Sequence, residues 1–114
     1  MLNRELVRGA GPVAVLQLLK KRDMYGYELA EALSARSDGV LAMGHSTLYP
    51  LLYNLESKGL VESRWVELES GRKRRYYSLT SKGAAMLEEV RGQWQDLFRA
   101  MAGLGLVTGT GREG

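Results

Sequence analysis

The chain has 114 residues, no cysteine and a formal net charge of only +3. That length suffices for one domain with one core, and a chain without cysteine has no disulfides and no thiol chemistry. No apolar run approaches the ~20 residues that cross a bilayer, and the first residues have no apolar signal core. We therefore expect a cytoplasmic protein without a membrane partner, whose function depends on where its charges lie rather than on their total.

The first predicted helices precede residue 22. Leu2–Arg8 is predicted to be a short helical arm, which Gly9 and Gly11 interrupt. Pro12 is well placed to open the next helix at its first turn. That helix is expected to run to about Lys21 and to be buried, because apolar residues cover most of its surface.

Two helical patterns follow, with a short irregular segment between them. The first covers Gly26 to about Ser37, and the second runs from about His45 to Lys58. Leucines repeat at helical spacing in both and predict stripes that face a core. Val40–Met43, in the segment between them, is predicted to be a brief strand beside the hairpin described below.

The second helix has an unusual face opposite its leucines, with hydroxyl, amide and aromatic side chains and no carboxylate before Glu56. Such a face approaches phosphates and base edges without repulsion. Pro50 is tolerated there if the helix begins near Thr47, whereas a start near Gly44 costs one hydrogen bond. Core packing remains an open alternative for Tyr49. The residues of this helix predicted to contact nucleic acid are Ser46, Thr47, Tyr49, Pro50, Tyr53 and Asn54.

Two β-prone runs, Leu60–Leu68 and Arg74–Leu79, flank a Gly-bearing tip and predict a hairpin. Consecutive cations extend from the tip into the returning strand: Arg72, Lys73, Arg74 and Arg75. Cations placed on phosphates release condensed counterions, so this hairpin suits a polyanion; a solvated edge hairpin that resists aggregation is the alternative. Helix, turn, helix and basic hairpin is the order of a winged helix-turn-helix, whose second helix enters the major groove of double-stranded DNA.

A long final helix is expected from the N-cap Thr80 to about Gly103. Its apolar residues follow the heptad seam of a coiled coil. A helix packed on its own core also needs such a stripe, but this one runs past the expected edge of the domain, which favours pairing with a second chain. The predicted dimerisation residues are Leu87, Val90, Trp94, Leu97, Phe98 and Met101. A two-fold dimer would present two recognition helices to a pseudo-palindromic site.

The predicted fold is α+β and mostly helical: a winged helix-turn-helix in residues 1–79, a C-terminal dimerisation helix in residues 80–103 and a flexible Gly-rich tail in residues 104–114. The spacing of residues indicates no catalytic triad, no acid–base carboxylate pair and no metal-ligand cluster. His45, the only histidine, is better explained as a phosphate contact or a surface residue than as a metal ligand. We therefore expect no enzyme activity, no cofactor and no metal site.

Three segments resemble the PadR family of bacterial transcriptional regulators, in that family's order and spacing: YGYELAEAL at Tyr25–Leu33, STLYPLLYNLESKGLVES at Ser46–Ser63 and GRKRRYYSLTSKG at Gly71–Gly83. The last helix is similar to that of the family's short-chain branch. The resemblance implies a winged helix, a dimer held by the C-terminal helix with help from the first helix, and repression by operator binding. It also implies recognition-helix roles for Ser46, Thr47, Tyr49, Pro50 and Tyr53, and contacts with the DNA backbone or groove for Tyr25 and Arg72–Arg75.

Two interpretations are open for Trp94. It can be dimer core alone, or two copies facing each other across the two-fold axis can form a flat apolar slot for an aromatic ligand. The resemblance favours the slot, because some members of the family bind flat hydrophobic molecules between their subunits.

The leading hypothesis is thus a dimeric, sequence-specific DNA-binding repressor that a small aromatic or lipophilic effector releases. The alternative is a ligand-binding or protein-interaction module on a winged-helix scaffold that does not regulate DNA.

Overall fold

The structure, a computed structural model, describes residues 4–108. Its elements in chain order are α1 (Arg4–Lys21), β1 (Met24–Tyr25), α2 (Gly26–Arg36), α3 (His45–Ser57), β2 (Val61–Glu67), β3 (Lys73–Leu79) and α4 (Ser81–Gly103). The predicted class, α+β and mostly helical with the element order of a winged helix-turn-helix, is confirmed. No helix within residues 4–108 is both long enough and apolar enough to cross a membrane.

The sheet has three antiparallel strands in the order β1, β3, β2. β2 and β3 form the predicted hairpin, with a register that runs from Val61 opposite Leu79 to Glu67 opposite Lys73. The third strand is Met24–Tyr25, which pairs with the outer edge of β3. The short stretch immediately before α2 therefore completes the sheet.

The strand predicted at Val40–Met43 is wrong. The chain turns sharply after α2, where Asp38 and Gly39 have positive φ angles of 54° and 81°. The Gly39 N–H donates to the Ser34 carbonyl at 2.7 Å and so closes the end of the helix. The Val40 N–H then donates to the Ser37 carbonyl at 3.0 Å and the Ala42 N–H to the Gly39 carbonyl at 3.2 Å, so this segment bonds in local turns and Val40 is exposed.

α1 is one continuous helix, so the predicted interruption at Gly9 and Gly11 is also wrong. Pro12 lies inside the helix and has no N–H to donate to the Arg8 carbonyl. Tertiary packing overrides the poor helix propensity of glycine here. Gly11 is buried, and a Cβ at this position would come within 3.0 Å of the Leu51 side chain. The glycine that was expected to break the helix instead allows α1 to pass close to α3.

The core lies where α3 and the sheet meet the remaining helices. The inward-facing leucines of α3 are confirmed: Leu48 and Leu52 are fully buried and Leu55 is 3% exposed. Of the two adjacent tyrosines in β3, Tyr77 is the core residue. Its hydroxyl has no hydrogen-bond partner within residues 4–108, and burial raises the pKa of this hydroxyl.

α4 begins at the predicted N-cap. The Thr80 hydroxyl accepts from the Gly83 N–H at 3.0 Å and donates to the Gly59 carbonyl at 2.7 Å, which ties the helix start to the end of α3. Two turns later the Glu88 carboxylate binds Lys20 of α1 at 3.1 Å, and this contact lowers the pKa of the Glu88 carboxyl. Beyond Glu88 most of α4 is exposed, so the helix projects from the domain.

The C-terminal end of α4 lies where the sequence predicts it. α4 ends as predicted at Gly103, and the Leu106 N–H then donates to the Met101 carbonyl at 2.9 Å in a closing turn. Residues 1–3 of the predicted arm and residues 109–114 of the predicted tail lie outside the described residues.

Gly83 packs α4 against the hairpin so closely that the position excludes a side chain. A Cβ there would overlap the Leu60 carbonyl oxygen and lie 2.8 Å from the Leu79 side chain. Because backbone must move to relieve this overlap, we expect Gly83→Ala to lower the free energy of unfolding by about 3 kcal/mol. In the same helix a Cβ on Gly92 meets nothing within 4 Å. Gly92→Ala should therefore raise stability by up to about 1 kcal/mol, and urea denaturation that moves both midpoints in the same direction would contradict this packing.

Candidate nucleic-acid interface

α3 presents a polar, carboxylate-free face to solvent. Gly44 is its N-cap, and its first turn has no acidic residue. Because the helix begins at His45, Pro50 lies beyond the first turn and the hydrogen bond to the Ser46 carbonyl is missing. The exposed residues of α3 are His45, Ser46, Thr47, Pro50, Tyr53, Asn54 and Ser57. Apart from Tyr49, the predicted contact residues of this helix therefore share one surface.

Tyr49 belongs mainly to the packing between α2 and α3. It is half-buried against the core, and its hydroxyl lies directly against Gly26 at the start of α2. Its ring centroid is 5.5 Å from that of His45 and 6.1 Å from that of Tyr53. The sequence left Tyr49 as either a core residue or a nucleic-acid contact. The structure favours core packing, and from there the Tyr49 ring supports the exposed rings of His45 and Tyr53.

The single carboxylate of α3 is neutralised by the hairpin. Glu56 accepts from the Arg75 guanidinium at 3.2 Å and from the Ser63 hydroxyl at 2.6 Å. Arg75 also donates through Nε to the Ser63 oxygen at 2.9 Å. Arg75, predicted as a DNA contact, therefore has its guanidinium bound to protein groups. Sequence patterns missed this pair, because Glu56 and Arg75 lie on separate elements and meet only through the fold.

The tip of the hairpin carries cations that have no carboxylate partner in the part of the chain that the structure describes. The chain reverses at Gly71, with φ +89°, and the Leu68 N–H donates to the Arg72 carbonyl at 2.7 Å. Arg72 and Lys73 are exposed there. None of the ion pairs within residues 4–108 uses Arg72, Lys73 or Arg74. Their charges are available to an anionic partner.

An aromatic patch lies beside these cations at the start of α2. The Arg74 guanidinium lies 4.3 Å from the Tyr25 ring centroid, a cation–π contact made possible by the pairing of β1 with β3. The rings of Tyr27 and Tyr76 flank that of Tyr25 at 6.4 and 5.5 Å. Glu31, which interacts with the Tyr27 hydroxyl, raises the pKa of Tyr27. Tyr25 and Arg74 were predicted as DNA contacts, whereas Tyr27 and Tyr76 were not, because only the fold brings these rings together.

The predicted dimerisation residues of α4 divide into two groups. Trp94, Leu97 and Phe98 are 48%, 54% and 43% exposed, although all are large and apolar. Val90 and Met101, on the same stripe, are half-buried. Leu87 is different: it is 1% exposed and belongs to the core of its own chain, so it has no surface left for a partner. The apolar stripe available to a second chain therefore begins at Val90.

Trp94 also borders a groove between α1 and α4. The groove has a volume of about 510 Å³, and its walls include Val13 and Ala14 of α1 and Arg91 of α4. Leu41, from the turn between α2 and α3, also lines the groove. Within residues 4–108, no group of histidine and carboxylate side chains is arranged to hold a metal ion.

Comparison with known proteins gives a consistent result. Residues 15–89 match the family described as the Transcriptional regulator PadR-like family. The chain is 34% identical over 100 residues to transcriptional regulator Rv3488 of Mycobacterium tuberculosis, an alignment that covers 88% of this chain and 90% of that relative. It is similar to the crystal structure of a PadR family transcriptional regulator from Eggerthella lenta, with 37% identity, a TM-score of 0.77 and coverage of 88% and 85% of the two chains. A transcriptional regulator from Clostridium thermocellum gives a TM-score of 0.79 at 26% identity, over 89% of this chain and 95% of that one.

Proposed function

Because the chain belongs to the PadR-like family of transcriptional regulators, which are not enzymes, we propose that it is a cytoplasmic homodimer that binds a pseudo-palindromic operator in double-stranded DNA and represses transcription. One observation carries the proposal: the exposed, carboxylate-free face of α3 lies beside a hairpin whose tip cations take part in no ion pair within residues 4–108. In the domain organisation that we propose, residues 1–79 bind DNA and residues 80–103 form the dimer.

α3 is the proposed recognition helix. The major groove is about 12 Å wide and admits one α-helix. Hydroxyl and amide side chains such as Ser46 and Asn54 are suited to hydrogen bonds with base edges, and both are exposed on α3. Glu56 would repel phosphates if it were free, but its carboxylate is bound by Arg75 and Ser63. This network supports an approach of α3 to DNA over its whole length.

The hairpin is the proposed wing. Arg72 and Lys73 would contact backbone phosphates, which position a protein on the duplex without reading its sequence. Arg74 is held over the Tyr25 ring, next to the N-terminus of α2. The Glu28 carboxylate caps that helix start by accepting from the Tyr25 N–H at 3.2 Å, so a further phosphate would be contacted by the Arg74 guanidinium and the Tyr25 hydroxyl.

A footprint on the DNA upstream of the chain's own gene tests the proposal as a whole. We expect protection of one pseudo-palindromic site with half-sites about 34 Å apart or a multiple of it, and lower transcription from that promoter in vitro. Binding without sequence preference, or protection that raises transcription, would contradict a repressor. A chain that binds no duplex would favour the protein-interaction or ligand-binding module instead.

The wing can be tested by removing two charges from its tip. Arg72→Gln/Lys73→Gln should weaken binding to specific and random duplexes alike, and should flatten the plot of log K against log salt by about 0.9 for each phosphate that the variant no longer neutralises. Lys21→Gln/Arg36→Gln removes the same charge from two exposed cations that line a different cleft, and should change neither quantity. If the two double variants behave alike, the hairpin is not a wing on DNA.

The dimer rests on the exposed apolar stripe of α4. A helix that projects from its domain with Trp94, Leu97 and Phe98 about half exposed forms an apolar patch that a monomer would leave in water. A two-fold axis along this stripe pairs identical surfaces, and the resulting symmetry matches that of a pseudo-palindromic operator.

Leu97→Glu should convert the dimer into a monomer or an aggregate. A carboxylate placed in an apolar seam costs about 3 kcal/mol or more, which corresponds to at least about a 100-fold weaker association. Arg99→Gln, on the opposite side of α4, lowers the net charge by the same one unit and removes only an exposed ion pair with Asp96. Sedimentation at micromolar concentration should show a monomer only for Leu97→Glu; an intact dimer would mean that the chains meet elsewhere.

The effector site is proposed for the groove beside Trp94. Its volume of about 510 Å³ and its apolar walls suit a small aromatic or lipophilic molecule. α1, which forms one wall, also packs on α3 through Gly11 and Leu51. A ligand that changes the position of α1 relative to α4 would thus change the spacing of the two recognition helices, and so release the operator.

Indole fluorescence tests this site. We expect a planar aromatic compound from a panel of planar cations and phenolic acids to quench Trp94 and to saturate at two ligands per dimer, one in each groove. Saturation at one ligand per dimer would instead favour a slot between two facing Trp94 rings. Trp65 is 64% exposed in the hairpin and supplies a background signal, so Trp65→Phe leaves Trp94 as the only indole. Quenching that persists in Trp94→Ala, or no saturable response to any compound, would leave a repressor controlled by its own abundance.

A further inference from the structure

A second group of cations lies on the side of α3 away from the hairpin. The first half of α1 and the outer edge of α3 enclose an open groove of about 710 Å³. Arg4 and Arg8 line it from α1, and Lys58, the C-cap of α3, lines it from the other side. We propose that this groove holds the backbone of one DNA strand next to the recognition helix, so that α3 is flanked by phosphate-binding cations on both sides. The proposal rests on DNA binding by α3 as proposed above.

The geometry of α3 places the groove and the hairpin on opposite edges of its exposed face. Thr47, Asn54 and Lys58 follow one another at spacings of seven and four residues, which puts them on one side of the helix. Tyr49 and Glu56, which contact α2 and the hairpin, lie roughly half a turn away. A helix lying in the major groove has a phosphate backbone on each side, and these two edges would face the two backbones.

The charges of the groove suit an anion. The residues that line it include no carboxylate. Arg4 and Arg8 are one helical turn apart, so both side chains point to the same side of α1. The ion pairs within residues 4–108 engage Lys20, Arg22, Arg64, Arg75, Arg91 and Arg99. Arg4, Arg8 and Lys58 take part in none of them.

The groove is also held in place by the core. Gly11 lies in contact distance of Leu51, which fixes the distance between α1 and α3 at one end of the groove. Because α1 continues through Gly9 and Pro12 without interruption, Arg8 and Arg4 are positioned by a rigid helix. An ordered pair of cations loses less conformational freedom on binding than a flexible arm would.

DNA suits this groove better than an acidic peptide does. Ser46, Thr47 and Asn54 form one wall, and they also belong to the exposed face of α3. The groove therefore continues without a break into the surface proposed to read bases. A peptide seated here would compete with DNA, which makes peptide binding a distinguishable outcome.

The test compares double variants of the full chain on a fluorescein-labelled duplex of random sequence, from about 50 to 200 mM salt. Arg4→Gln/Arg8→Gln should weaken binding by about 10-fold or more at the middle of this range, and lower the salt slope by about 0.9 for each phosphate that is no longer neutralised. Lys21→Gln/Arg36→Gln, which removes the same charge outside the groove, should leave both quantities unchanged. All the substituted side chains are exposed, and thermal unfolding followed by circular dichroism checks that each variant is folded.

Three results would overturn the groove proposal alone. If Arg4→Gln/Arg8→Gln binds like the original chain while Arg72→Gln/Lys73→Gln does not, the groove makes no DNA contact and the proposed function stands. If the groove variant and its Lys21/Arg36 control are weakened equally, only net charge matters. If the groove variant keeps duplex binding but no longer binds a poly-glutamate peptide, the groove serves a protein partner. An original chain with no salt-dependent duplex binding would overturn the proposed function together with this inference.

Discussion

The contact between Glu56 and Arg75 is the interaction on which the proposed DNA-binding surface depends. It joins the end of α3 to β3 and, through Ser63, to β2, so that α3 and the hairpin keep one relative orientation. It also removes the only carboxylate of α3 from the surface that would meet phosphates. A net charge of +3 is small for a DNA-binding protein, and the arrangement of paired and unpaired cations matters more than that total.

α1 connects the two surfaces to which we assign functions. At its middle it packs on α3 through Gly11 and Leu51, and at its end Lys20 binds Glu88 of α4. The groove beside Trp94 lies between the same two helices. In the proposed regulator, a ligand or a partner chain on α4 therefore has a direct mechanical path to the recognition helix. Such coupling requires only that the two arrangements differ in their affinity for the ligand.

Local periodicity made much of the fold predictable. The leucine stripe of α3, the hairpin around Gly71 and the N-cap at Thr80 each depend on residues close together in the chain, and each is present as expected. The polar face of α3 followed from the same periodicity, because a helix with one buried stripe must expose the other side. The exposed part of the α4 stripe, including Trp94 and Leu97, was visible in the sequence for the same reason.

What the sequence by itself determined is the hairpin and the helices α2, α3 and α4, with their order and the chemistry of their faces, since helix and strand periods act over a few residues. Tertiary structure decided which of those faces meet. α1 continues through Gly11 because the Leu51 side chain packs against that glycine. Met24–Tyr25 forms the third strand because it pairs with the edge of β3 that β2 leaves free. Tertiary packing also buries Leu87 in the chain's own core and pairs the Arg75 guanidinium with the Glu56 carboxylate. Contacts between residues far apart in the chain leave no periodic trace, so only the folded molecule reveals them.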